Sequence, residues 1–148
     1  MTTIFLQSEL WDKIDDLAKS AKRKHLAVAY LGRGATDLIP LRKGDTLVVD
    51  MSSQAVKMGQ TDPNEVEKYI RAGASVFTCA NLHAKVYVFD NTAVVGSGNL
   101  SLRSQNALLE AGIVTRESSV LKSARGFIKS IQVEPVTPGY IRLCKRLY

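Results

Sequence analysis

The segment 83–99 places the strongest constraint on how this chain can fold. Two runs rich in β-branched and aromatic residues, 83–89 and 92–97, flank the dipeptide Asp90-Asn91. Asp and Asn tolerate the backbone of a two-residue turn, so this pattern predicts a β-hairpin. The hairpin fixes which residues of the two strands face each other.

Counting back from the turn pairs Lys85 with Gly96 and His83 with Gly98. His83 and Lys85 are two residues apart on one strand, so both side chains point to the same face of the sheet. The facing glycines carry no side chains. We therefore expect room for a ligand to approach closely at this end of the hairpin.

The polar groups gathered there suit a phosphate diester. Lys85 can neutralise its charge, and the Ser97 hydroxyl and Asn99 carboxamide can donate hydrogen bonds to its oxygens. Backbone amides that open a helix near residue 101 can add to the anion site. His83 can act as the nucleophile.

Two other residues of interest are assigned roles outside catalysis. Seven strand residues separate Asp90 from His83, a distance of roughly 20 Å, so Asp90 belongs to the turn or to structure near it. His25 follows three basic residues at a predicted helix end, where cations favour the helix dipole. We interpret His25 as structural or phosphate-contacting.

Strands and helices alternate along the rest of the chain. This order predicts an α/β fold, with a mixed and mostly parallel β-sheet flanked by helices on both faces. The further elements predicted are helices over 8–22, 62–71, 101–108 and 118–131, and strands over 26–31, 46–50, 75–79 and 110–115, with a loop at 32–36.

Local patterns define the ends and inner faces of three of these helices. Asp62 and Glu65 fit a capping box around Pro63, which suits a first helical turn. The apolar residues of the first helix form one stripe, Leu10, Ile14, Leu17, Ala18 and Ala21. The inner stripe of the last one is expected at Val120, Ala124, Phe127 and Ile131.

The chain has 148 residues, of which 45% are hydrophobic and 23% charged, as expected for one globular domain. We assign residues 1–131 to that domain. Residues 132–148 are interpreted as a tail or linker that begins a new element and leads to a further domain. No apolar run is long enough to span a bilayer, and the N-terminus does not resemble a signal peptide.

A cytoplasmic protein is therefore expected. Cys79 and Cys144 are expected to be free thiols, and no zinc site can be built from them and the two histidines.

The formal net charge of +6 favours a polyanionic partner, although many proteins carry such a charge only for solubility. Phosphate-backbone contact is one interpretation of the basic residues, and a solvated surface is the other. The residues in question are Lys22, Arg23, Lys24, Arg33, Arg42, Lys43, Lys57 and Arg103.

The complete motif resembles the signature of the phospholipase D superfamily. The signature is His-x-Lys, then Asp, then Gly-Ser-x-Asn, and this chain matches it at every defined position. The matching residues are His83, Lys85, Asp90, Gly96, Ser97 and Asn99. The resemblance extends in element order over residues 24–131 and implies the phospholipase D-like fold. It also implies that Glu110 is the acid that holds the catalytic imidazole; otherwise Glu110 is an exposed acid at a strand start.

The family reaction implied by this resemblance uses two histidines, one as nucleophile and one as general acid and base. The chain carries one motif, so the resemblance implies a homodimer in which each subunit supplies His83 to a composite site. Lys85 and Asn99 of both subunits would cradle the phosphate. No metal and no other cofactor is required by this chemistry.

The resemblance favours a metal-independent endonuclease that hydrolyses DNA, similar to small dimeric bacterial endonucleases and to the nuclease domains of certain restriction enzymes. RNA and phospholipid are the alternative substrates, and a nucleic-acid-binding module with a relict site is the alternative function. No membrane anchor is visible. A restriction enzyme would need an added specificity domain, and an active cytoplasmic nuclease would need regulation by such a domain or by a partner.

Overall fold

The computed structural model describes residues 3–148 of the chain. In chain order the elements are β1 (Thr3–Leu6), α1 (Leu10–Ser20), β2 (Lys24–Val28), α2 (Ala35–Leu38), β3 (Thr46–Val49), α3 (Ser53–Lys57), α4 (Pro63–Arg71), β4 (Ser75–Thr78), β5 (Lys85–Phe89), β6 (Thr92–Gly96), α5 (Leu102–Asn106), β7 (Gly112–Thr115), α6 (Ser118–Ser130), β8 (Glu134–Pro135) and α7 (Pro138–Leu147). The predicted elements are present with slightly different ends. The short β1, α2, α3 and β8, and the longer helix α7, were not predicted.

The strands form one eight-stranded sheet in the order β1-β7-β6-β5-β2-β3-β4-β8. The predicted mixed sheet is confirmed, but the expectation that it is mostly parallel is wrong. Only the β2–β3 and β3–β4 pairs are parallel, and the five other described pairs are antiparallel. Helical crossovers join β2, β3 and β4, whereas a tight turn joins β5 to β6 and so forces them antiparallel.

Helices cover both faces of the sheet, as predicted. Tyr87 and Phe89 on β5 pack in a large apolar cluster with residues of α1, α4 and α7. Val86 and Val88, on the alternate face of the same strand, pack with α6. The period-two alternation of β5 therefore separates two cores, and each one is closed by its own helices.

The side of α6 that faces the sheet differs from the predicted stripe. Leu121, Ala124 and Ile128 are buried, whereas Val120 and Phe127 are 40% and 39% exposed. Two overlapping apolar stripes run along this helix one residue apart, so its periodicity alone did not identify the packed one.

Residues 132–148 are folded against the domain, which differs from the expected tail or linker. β8 pairs with β4 at the sheet edge. Ile141 and Cys144 of α7 are buried in the larger cluster, next to α3 and α4. Thr137 caps α7, since its hydroxyl accepts a hydrogen bond from the Tyr140 backbone N–H at 3.1 Å. A further domain beyond this helix stays a prediction. Cys79 and Cys144 are both free thiols.

The start of α4 is only partly as predicted. Asp62 caps the helix by accepting a hydrogen bond from the Asn64 backbone N–H at 2.9 Å, and Pro63 occupies the first turn. Glu65 does not complete a capping box. Its carboxylate accepts hydrogen bonds from the Thr36 backbone N–H and hydroxyl, both at 3.0 Å, and from Lys68 at 2.6 Å. It therefore ties α4 to α2 instead of closing its own helix end.

Within residues 3–148, no helix combines the length and the apolar composition that crossing a bilayer requires.

The predicted hairpin is confirmed. β5 and β6 pair in the expected register, from Phe89 with Thr92 to Val86 with Val95. Asp90 in the turn has a φ of 51°, a left-handed conformation that Asp adopts more readily than most residues.

Asp90 also joins the hairpin to the chain between α1 and β2. Its carboxylate accepts hydrogen bonds from the backbone N–H groups of Lys22 at 3.0 Å and Arg23 at 2.9 Å. These two bonds, with that of Lys22 the larger cause, hold the pKa of Asp90 below its ordinary value. Asp90 lies at the turn, and His83 precedes the opposite end of β5.

We predict that Asp90→Ala lowers the free energy of unfolding by about 1–2 kcal/mol at neutral pH, since two backbone donors lose a charged acceptor. Because the folded-state pKa is lowered, this stability is present above the unfolded-state pKa and is lost as the pH falls through the folded value. Urea denaturation at neutral pH and in acid measures both effects. Asp90→Asn, which keeps the turn preference, should cost less. An equal loss at all pH values would contradict the charged-acceptor role.

Candidate active site

His83 and Lys85 form the centre of the candidate site. Lys85 is the first residue of β5, and His83 lies just before the strand. The Lys85 Nζ lies 3.3 Å from the His83 Nε2. His83 is exposed, whereas Lys85 is only 9% exposed. An accessible imidazole nitrogen therefore stands directly beside a buried amine.

The burial of Lys85 sets its electrostatic state. Loss of solvation lowers the pKa of Lys85, and the carboxylate of Glu110 acts in the opposite direction. Glu110 thus supports the charged form of the amine, although burial is the larger effect. A cation held in this way is a fixed positive charge at the place where a phosphate would sit.

Ser97 and Asn99 extend from the end of β6 toward this centre. The Ser97 hydroxyl accepts a hydrogen bond from the Ala111 backbone N–H at 3.0 Å and donates toward Glu110 Oε1 at 3.3 Å. The Asn99 Oδ1 accepts a hydrogen bond from the Tyr30 backbone N–H at 3.1 Å. With its oxygen engaged, the Asn99 carboxamide has its N–H groups left to donate to a ligand.

Glu110 is held among hydroxyl groups and not against the imidazole. Besides the Ser97 contact, its Oε2 accepts a hydrogen bond from the buried Ser104 hydroxyl at 3.0 Å. Among the described residues, no hydrogen bond joins Glu110 to His83. The expectation that Glu110 holds the imidazole concerns a site built from two subunits, so it stays a prediction. Glu110 acts on Lys85 and on the segment that carries Ser97.

Ser104 is a site residue that the sequence interpretation missed. Its hydroxyl donates to Glu110 and accepts from the Asn99 backbone N–H at 3.1 Å. It therefore connects α5 to both Asn99 and Glu110. A serine in a short polar helix does not by itself indicate a functional residue. Ser104 lies five residues after Asn99, in the first turn of the helix that follows the motif, and this position could have marked it as a neighbour of the site.

The glycines of the motif serve packing, which corrects the expectation that they open space for a ligand. A Cβ at Gly96 would lie 2.5 Å from the Ala111 carbonyl oxygen on the neighbouring chain segment. A Cβ at Gly98 would meet Glu110 Oε2 at 3.3 Å and Trp11 Nε1 at 3.4 Å. The absent side chains let β7, Glu110 and Trp11 approach the hairpin.

Three aromatic side chains complete the surroundings and were not singled out from the sequence. The Tyr30 ring meets the His83 ring edge-on, with a centroid distance of 6.3 Å. The buried Tyr87 hydroxyl donates to the Gly98 carbonyl oxygen at 2.7 Å, and its ring meets Trp11 edge-on. The two-residue period that links His83 to Lys85 also reaches Tyr87, so this signal was available.

His25 lies elsewhere. It pairs with Val88 across β2 and β5, so it belongs to the sheet face opposite that of Lys85 and Tyr87. It lines a different cavity, together with Arg125 and Gln132. Within residues 3–148, no group of three or more His, Cys, Asp or Glu side chains is arranged to hold a metal ion.

Known proteins resemble this chain in sequence family and in fold. A family model described as "Cardiolipin synthase, PLD-like domain" matches residues 2–131. A comparison with curated protein sequences finds no match.

Solved structures share the fold. The chain is similar to NucT from Helicobacter pylori, with a TM-score of 0.68, 15% identity, and coverage of 90% of this chain and 97% of that one. It is also similar to Nuc, a phospholipase D family member from Salmonella typhimurium, with a TM-score of 0.70, 15% identity, and coverage of 91% and 96%. A third similar structure is phosphatidylserine synthase from Haemophilus influenzae Rd KW20, with a TM-score of 0.60, 14% identity, and coverage of 97% and 44%.

At these identities the solved structures show the fold alone, while the family match and the complete motif support phosphodiesterase activity. Because the family model covers residues 2–131 of the 148 residues, the chain belongs to the family of phospholipase D-like domains.

Proposed function

We propose that this chain is an endonuclease that hydrolyses phosphodiester bonds of DNA through a covalent phosphohistidine at His83, without a metal ion. The observation that carries the proposal is the 3.3 Å approach of Lys85 Nζ to His83 Nε2, with the imidazole open to solvent. One group is the nucleophile and the other neutralises the phosphate that it attacks.

The reaction proceeds in two displacements. The Nε2 lone pair of His83 attacks phosphorus, an N–P bond forms, and the bond from phosphorus to the leaving oxygen breaks. The imidazolium of a second His83 protonates that oxygen. The now neutral second imidazole then takes a proton from water, whose oxygen attacks phosphorus and breaks the N–P bond. Lys85 and the Asn99 amide stabilise the charge on the non-bridging oxygens in both steps.

The second His83 comes from a second copy of the chain, since one chain carries one motif. An exposed apolar row on the sheet supports such a homodimer. Phe5, Ile113 and Val95 are 63%, 43% and 41% exposed. They are paired neighbours on the adjacent strands β1, β7 and β6. They lie on the same face of the sheet as α6, which covers that face at the central strands. Val95 pairs with Val86 and so lies on the sheet face opposite Lys85. The row therefore approaches the site only along β6, where Val95 directly precedes Gly96.

DNA as substrate is supported by the arrangement of basic residues. Lys24 is buried and donates to the Pro40 carbonyl oxygen, and Arg23 pairs with Asp45, so these two are engaged within the fold. Arg33 and Arg103 instead line the cavity that also contains Asn99. Exposed cations next to Asn99 suit a polymer that carries further phosphates.

A phospholipid substrate is the second candidate, because the matching family model is described by a cardiolipin synthase. The set of residues in the site serves either diester. A relict binding module is disfavoured by the complete motif. Membership of a restriction enzyme, with its specificity domain or a regulatory partner, stays a prediction.

We predict that His83→Ala lowers the rate of DNA cleavage on the order of 1,000-fold or more, since it removes both the nucleophile and the general acid. Plasmid cleavage in excess EDTA measures this, with circular dichroism to verify folding. His25→Ala is the matched control, because it removes the chain's other histidine from the opposite sheet face, and it should retain cleavage. A strict requirement for magnesium would contradict the mechanism.

We predict that Glu110→Gln moves the alkaline limb of the kcat/KM profile to lower pH. The Glu110 carboxylate raises the pKa of Lys85 against the larger effect of burial, so its loss lets the amine lose its proton earlier. Cleavage rates across the neutral and alkaline range measure the shift. Glu134→Gln, on β8 at the far edge of the sheet, should leave the limb in place. If the alkaline limb did not move in Glu110→Gln, the carboxylate of Glu110 would not control the pKa of Lys85 during cleavage.

We predict that Phe5→Glu and Ile113→Glu convert the protein to a monomer and lower the activity per chain. Burying a carboxylate in an apolar interface is unfavourable, so the dimer dissociates. Analytical ultracentrifugation and cleavage assays across protein concentration measure both effects. Val133→Glu, at a site 80% exposed outside the apolar row, is the control. A fully active monomer would refute the composite site.

A further inference from the structure

A cavity of about 350 Å³ opens beside His83 and is lined by three carboxamide side chains, those of Gln54, Gln60 and Asn81. We call this group the amide pocket. Among the described residues, none of the three carboxamides forms a hydrogen bond, so their donors and acceptors are available. The volume lies in the range of roughly 300–1,000 Å³ that is usual for sites that bind small ligands.

The wall of the amide pocket is held in place by Asp50. This carboxylate is 6% exposed and accepts hydrogen bonds from the backbone N–H groups of Ser52 at 2.9 Å and Asn81 at 3.2 Å. Asn81 has a φ of 66°, in the left-handed region. The anchored backbone therefore holds Asn81 at a fixed place in the wall of the amide pocket.

Tyr30 connects this pocket to the catalytic centre. Its ring lies edge-on to His83, and its backbone N–H is fixed by Asn99 Oδ1. The same tyrosine, with Met58 and Gln60, also lines a second cavity of about 580 Å³. Tyr30 thus stands between the two cavities and borders both.

The second cavity is basic. Arg33 and Arg103 line it together with Asn99. Among the described residues, neither guanidinium forms a hydrogen bond or an ion pair. A cavity rich in carboxamides, with the Asp50 carboxylate in its wall, and a basic cavity therefore flank the candidate catalytic centre.

We infer that the amide pocket binds the nucleobase next to the scissile phosphate of a single-stranded nucleic acid, while Arg33 and Arg103 bind the adjoining phosphate. This deepens the proposed function and rests on it. Carboxamides pair a donor with an acceptor and so match the edge of a base. They carry no charge with which to attract a phosphate. A base enters such a pocket from an unpaired strand, where its edge is free.

The test compares two substrates: a short single-stranded oligonucleotide and bis(4-nitrophenyl) phosphate, a diester with no base. The combined variant Gln60→Ala with Asn81→Ala should lower kcat/KM for the oligonucleotide roughly 5- to 10-fold more than for the base-free diester, since the two side chains together lose about one net hydrogen bond. It should also weaken any preference among the bases at the cleavage point. Gln132→Ala, in the separate cavity beside His25, should change neither rate.

Equal losses on both substrates, or no loss on either, would overturn the base assignment. A loss confined to phosphatidyl vesicles would assign the pocket to a lipid headgroup and overturn the base assignment as well.

If the wild-type protein cleaves no diester, the proposed function fails. The inference about the amide pocket is then tested separately, by measuring the binding of single-stranded nucleic acid. A labelled single strand with one abasic nucleotide should bind the wild type roughly 5- to 10-fold more weakly than the intact strand. The combined variant should bind the two strands alike, and a wild type that does not distinguish them would refute the pocket.

Discussion

The burial of the Lys85 amine is the constraint on which the candidate site depends. Lys85 as a residue is only 9% exposed, and burial removes part of the hydration of its amine. The site compensates with Glu110, whose carboxylate acts against the pKa-lowering effect of burial. The remaining open side of the amine faces His83 Nε2. In the proposed reaction, the phosphate of the substrate would supply a second negative group beside Lys85.

A series of hydrogen bonds connects Glu110, which acts on Lys85, to the rest of the fold. Glu110 is bound by the hydroxyls of Ser97 and Ser104, and Ser104 in turn accepts from the Asn99 backbone. Asn99 then holds the Tyr30 backbone. The series joins β6, α5 and the segment before β7 to the end of β2. Strands that are distant in sequence therefore meet at one charge cluster, and the antiparallel hairpin and the parallel crossover both end there.

The sequence predicted the parts of the site that follow from local geometry, and it failed where tertiary contacts decide. The hairpin register follows from the turn at Asp90, and the pairing of His83 with Lys85 follows from the strand period. The role of the glycines was misread, because the space beside Gly98 is filled by Trp11 and Glu110, which come from other elements. The sheet was judged mostly parallel because the order of elements along the chain does not reveal which strands become neighbours. The same limit explains why the packing of 132–148 was missed, since burial of α7 depends on α3 and α4.

The proposed chemistry makes assembly and catalysis inseparable. A monomer has the nucleophile, the cation and the amide donor, but no second imidazole to protonate the leaving oxygen. The apolar row lies on the sheet face opposite Lys85 and approaches the site along β6, where Val95 precedes Gly96. A partner that covers Phe5 and Ile113 would therefore lie near the end of β6. Burial of that row would drive association through the hydrophobic effect. Activity would then rise steeply with protein concentration, because each composite site requires two chains. A nuclease built in this way is inactive when dilute and needs no separate inhibitor at low concentration.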